Sequence, residues 1–85
     1  MEIAKYSGAV VEAIEAWAAA NGYTVDKHST KGSIHLTKDD HGFEFIAEEG
    51  FAYVHGEGAL NGIGSTIMDL DQFEATIATL LENLS

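Results

Sequence analysis

The spacing of apolar residues changes twice along this chain, and that change dictates what it can fold into. Over residues 3–20, Ile3, Tyr6, Val10, Ile14 and Trp17 recur at steps of three and four, which puts them on one stripe of a helix. Ala and Glu, both good helix formers, fill the rest. Asn21-Gly22 then supplies a stop, because Gly enters the left-handed conformation that closes a helix C-terminus. From Tyr23 to about Ile67 the step falls to two. Tyr23/Val25, Ile34/Leu36, Phe43/Phe45 and either Phe51/Tyr53 or Ala52/Val54 read as the inward residues of four short strands.

The segments between these strands fix how they pair. Ser29-Thr30-Lys31-Gly32, Asp39-Asp40-His41-Gly42 and Glu48-Glu49-Gly50 are short, polar and end in Gly. None has room for a crossover helix, so neighbouring strands pair as antiparallel hairpins. Residues 56–64 hold four of the nine glycines and read as a loop or a kinked edge, and Ser65 to Met68 are a candidate fifth strand.

The second helix announces its own start. Asp69 is a natural N-cap, and Gln72 three residues on completes an Asp-x-x-Gln capping box. Met68 and Phe73 stand where a hydrophobic staple would close. Asp69, Asp71 and Glu74 crowd the first turn, where the helix dipole favours anions. Leu70, Phe73, Ile77, Leu80, Leu81 and Leu84 make the stripe to be buried. The expected fold is therefore α+β in one domain over residues 1–85: helix, antiparallel β-meander of four or five strands, helix. Both helices cover one sheet face, and the other face is left to solvent.

Charge divides the chain as sharply as periodicity does. After Lys38 there is no Lys or Arg, while ten carboxylates follow, and the first 38 residues balance four Lys against four acids. The net charge of −10 thus belongs to the second half. A field of one sign attracts cationic surfaces and repels nucleic acid and anionic lipid. Halophilic solvation would acidify the whole surface, which the balanced first half does not show. The chain has no Cys, so disulfides, thiolate zinc sites and cysteine nucleophiles are excluded and the cytoplasm is the expected compartment. The opening residues lack the basic-then-apolar order of a signal peptide, and no apolar run is long enough for a membrane span.

Other chemistries find little support. His28, His35, His41 and His55 match no metal-ligand spacing, although His35, Glu44 and His55 would share the open sheet face, and His41 reads as a turn residue. The glycine-rich stretch has neither Walker spacing nor a following Lys, and Glu57 and Asp69 beside it would repel phosphate. The stretch reads instead as a flexible or bulged connection to the last helix, or as a mobile binding loop with Leu60 and Ile63 as exposed apolar anchors. Ser29, Ser33 and Ser65 sit in no nucleophile elbow, and adjacent acids on turns are too well solvated to be tuned for catalysis. The expectation is a non-enzymatic binding protein without cofactor or metal.

In size, acidity and helix–meander–helix outline, the chain resembles the broad class of small phage or mobile-element inhibitors. That class includes anti-CRISPR and anti-restriction proteins, some of which mimic nucleic acid. The likeness is one of character over the whole length and carries no motif. It implies an inhibitor that sets its anions against a basic groove of a nucleic-acid-handling protein and does not itself bind nucleic acid. Asp39, Asp40, Glu44, Glu48, Glu49 and Glu57 are the candidate contacts, with Asp69 and Asp71 as a flank. The alternative is a toxin-immunity, adaptor or chaperone-like protein that grips one partner through a mixed surface using Leu60, Ile63 or Phe51. A homodimer through the sheet edge or last helix is a third option.

Overall fold

The first helix, α1 (Gly8–Ala20), buries Val10, Ile14 and Ala18 and half-buries Trp17 along the predicted stripe. A computed structural model describes residue 3, residues 8–28 and residues 33–84; Tyr6 and the Ser29–Gly32 turn lie outside the described residues. The helix closes as its sequence requires. Gly22 takes φ of 77°, and the Tyr23 N–H donates to the Ala18 carbonyl at 2.9 Å, the long bond of a Schellman closure. Lys38 completes the end: its Nζ donates to the Asn21 carbonyl at 3.0 Å and stands 5.4 Å from the Tyr23 ring centroid. A cation there complements the negative end of the helix dipole.

Five antiparallel strands follow in a meander: β1 (Thr24–His28), β2 (Ser33–Lys38), β3 (His41–Glu48), β4 (Phe51–Gly58) and β5 (Gly64–Ile67), in the spatial order β1-β2-β3-β4-β5. Alternation decides the faces. Ile34 and Leu36 stand beside Phe45 and Phe43, which stand beside Val54 and Gly56, all turned inward. The sequence left open which residues of β4 face the core. Ala52 and Val54 do so with no exposure, while Phe51 is half-buried and Tyr53 is 41% exposed on the opposite face. The register explains the choice, since Val54 and Ala52 lie opposite the buried Phe45 and Ala47.

Three connections are shorter than the sequence suggests, the β3–β4 turn by one residue because Glu48 pairs with Phe51. Lys38 pairs with His41, so the β2–β3 connection is Asp39-Asp40 alone, with Asp39 at φ of 56°. Asp tolerates that left-handed conformation, which frees His41 and Gly42 to open β3. The glycine-rich stretch is also more ordered than expected. Gly56 to Gly58 belong to β4, and only Ala59–Ile63 connect to β5. This short segment folds back over the sheet and places Leu60 in the core at 1% exposure, with Ile63 packed against it. Gly56 makes room for Leu60, since a Cβ there would collide with the Leu60 carbonyl and Cβ. Leu60 is therefore a core residue and not an exposed anchor.

The last helix begins with a 3₁₀ turn, Leu70–Gln72, and continues as α2 (Phe73–Leu81). The capping box is present. Asp69 Oδ1 accepts from the Asp71 N–H at 2.8 Å, and Gln72 Oε1 accepts from the N–H groups of Met68 at 2.8 Å and Asp69 at 3.3 Å. Met68 stays 64% exposed, so the predicted staple buries little of it. Leu70, Phe73, Ile77 and Leu80 are buried, Leu81 is partly so, and Leu84 is 41% exposed in a final 3₁₀ turn. Phe73 locks the two helices to the sheet. It meets Phe45 at 5.5 Å between ring centroids and Trp17 at 5.2 Å, both edge to face. The helices thus share one face of the sheet.

Candidate functional site

The sheet face away from the described helices carries a row of ionisable side chains. Opposite the inward Ile34, Phe43, Phe45 and Val54, a row runs across four strands: Asp26 on β1, His35 on β2, Glu44 on β3 and His55 on β4. His35 is the centre of this row. Its Nδ1 lies 2.9 and 3.1 Å from the two carboxylate oxygens of Glu57, and its Nε2 lies 3.3 Å from Glu44 Oε2. Only the imidazolium has a proton on each ring nitrogen, so only the charged ring donates to both carboxylates at once. The predicted sharing of this face by His35, Glu44 and His55 is what the register produces.

Beside that row, strands β1 to β4 enclose an open concavity of about 640 Å³, lined by Asp26, His35, Asp39, Asp40, His41 and Glu57 among others. Four carboxylates border it, and no Lys is among the described lining residues. His41, expected to decorate a turn, forms part of its wall as the first residue of β3, with its side chain only 10% exposed. Its Nε2 meets the Tyr23 hydroxyl at 3.0 Å, and its Nδ1 lies 3.6 Å from Asp40 Oδ1. Burial, reinforced by the charge of Asp39, pushes the Tyr23 phenol above its ordinary range.

The eight predicted contact residues do not form one cluster. Asp39, Asp40 and Glu57 gather at the β2–β3 end of the sheet, with Glu44 joined to them through His35. Glu48 and Glu49 lie at the other end of β3, about 23 Å away along an eight-residue strand. Asp69 and Asp71 lie toward that far end too, because Ile67 pairs with Ala52 next to the β3–β4 turn. The Asp69 carboxylate is engaged in capping the last helix. Asp26 borders the concavity although its charge was counted in the balanced half. The inward alternation of Tyr23 and Val25 was the signal that would have turned it outward.

A second feature of the face is aromatic. Phe51 meets Tyr53 edge to face at 5.3 Å, and Tyr53 stacks on His55 at 5.9 Å and 26°. Among the described residues, no group of three or more His, Asp or Glu is placed to hold a metal ion, and no described helix is long and apolar enough to cross a membrane. Comparison with protein-family models, curated proteins and solved structures finds no significant match.

Proposed function

We propose that this chain is a small acidic, non-enzymatic binding protein that docks on a basic nucleic-acid-binding groove of a target protein and blocks it. It would act in the cytoplasm in the manner of phage or mobile-element inhibitors of the anti-CRISPR and anti-restriction kind. The observation that carries the reading is the bordering of one concavity by Asp26, Asp39, Asp40 and Glu57 on the open face of a sheet. Anions fixed on a paired β-scaffold lose little freedom when a cationic partner engages them, and they accelerate encounter at low salt. Glu44 belongs to the same surface through His35, while Glu48, Glu49, Asp69 and Asp71 form a separate flank at the far end.

The test is capture of nucleic-acid-binding proteins from a bacterial lysate on the immobilised protein, with elution by duplex DNA and by salt. Capture is expected to collapse in the triple reversal Asp39→Lys, Asp40→Lys, Glu57→Lys. It should weaken only partly when Glu48 and Glu49 are reversed. Retention that ignores salt, DNA and the triple reversal would sink the proposal. A second reading, a toxin-immunity or adaptor protein, draws on the half-buried Phe51 and exposed Tyr53. It predicts capture that is indifferent to salt and lost on Tyr53→Ala.

A further inference from the structure

The two free edges of the sheet are built differently. β1 carries the exposed Asp26, a charge of the kind that discourages another strand from pairing. β5 reads Gly64-Ser65-Thr66-Ile67, with no charge and no Pro, and its first three residues are exposed. It is the last strand in the sheet order, so among the described residues no strand neighbours one side of its backbone.

The register states which groups that side presents. The Gly56 N–H donates to the Ile63 carbonyl at 2.8 Å, so this pair is hydrogen-bonded. Bonded and non-bonded pairs alternate in an antiparallel ladder. Val54–Ser65 and Ala52–Ile67 are then bonded pairs, and His55–Gly64 and Tyr53–Thr66 are not. The N–H and C=O of Gly64 and Thr66 therefore point outward, away from β4. Alongside them runs a groove of about 550 Å³ between β5 and α2, walled by Ser65, Ile67, Ala75, Thr76, Thr79 and Leu80. The small residues on the α2 side leave an extended backbone space to lie there.

We propose that β5 is a strand-addition site that takes an extended, Lys- or Arg-bearing segment of a partner protein, paired to Gly64 and Thr66 and seated against α2. Main-chain bonds would supply the register, and the groove would select small or β-branched residues at alternate positions. Charge chooses between occupants. A second copy brings its own −10 to the interface, whereas a cationic segment is attracted by the field and by Asp71 at the groove's end. The site lies on the opposite edge from the acidic concavity, so either can fail without the other.

The probe is a blocked peptide of alternating Thr and Val with a Lys at each end, titrated into the isotopically labelled protein. Shifts and slowed exchange of the Gly64 and Thr66 amides are expected, with the β1 amides unmoved. Thr66→Pro removes an outward N–H and no bond to β4, and it should weaken binding about tenfold. As a check independent of that variant, the same peptide with alternate backbone nitrogens methylated should not bind the unaltered protein, and a Glu-ended version should bind less. The proposal is overturned if shifts map instead to Asp26, Glu44 and Glu57, or if millimolar peptide moves nothing. It is equally overturned if sedimentation shows a dimer that Thr66→Pro dissolves, since a second copy would then be the occupant.

Discussion

The two faces of the sheet are made by the same strands yet follow opposite rules. On the helix side, Phe43, Phe45, Leu36 and Val54 are essentially without exposure and belong to one core with buried residues of both helices. One residue away on each strand, the open side holds Glu44, His35 and His55, half-buried or exposed; His35 and Glu44 meet as a charged pair and His55 stacks on Tyr53. A step of one residue thus separates side chains packed in the core from side chains on the face away from the helices. Stability should be sensitive to the first set and tolerant of the second, while binding should show the reverse.

Phe45→Ala offers the sharpest contrast. It removes the ring that Phe73 packs against and leaves a cavity between sheet and helices, so a loss of about 3–5 kcal/mol is expected in urea denaturation. Glu44→Ala, next to it in sequence but on the open face, should cost no more than about 1 kcal/mol. Equal costs would mean that the faces are not separate. Gly56→Ala should follow with about 1–3 kcal/mol, because the added methyl pushes Leu60 off the sheet. Its neighbour on the open face, Glu57→Ala, should change stability by less and binding by more.

The smallest effect tests where the faces meet. Tyr23→Phe loses the hydroxyl contact with His41, worth about 1 kcal/mol. The Tyr23 phenol is raised in the fold, so its contribution is complete below the unfolded value of 10.0 and is lost as pH rises past it. Melting temperature should therefore fall less steeply above that pH in Tyr23→Phe than in the parent. Parallel alkaline profiles would place the Tyr23 hydroxyl in water instead.

Legibility tracked how local the cause was. The capping box at Asp69 and Gln72 and the closure at Asn21-Gly22 involve residues within one turn, and both stand as read. The hairpins were equally plain, because short polar connections leave strands no other way to pair. The Asp39–Gly42 turn was misjudged by two residues, since Asp39 accepts a left-handed φ that the sequence assigns by preference to Gly42. Leu60 is buried against expectation because the connection folds back on the end of β4, where Gly56 has no side chain to block it. The candidate site was half legible: alternation turned Glu44 outward, while Glu57 was expected in a loop and only the strand register placed it in β4, around the same hollow as Asp26, Asp39 and Asp40.

What the sequence determined alone was the kind and order of the elements and the sign of the surface. Periodicity and cap chemistry act over a few residues, and charge is conserved whatever the fold. The tertiary structure alone decided which residues of β4 face inward and where the carboxylates divide into two groups. Those outcomes depend on strand register and helix placement, set by packing between residues far apart in the chain.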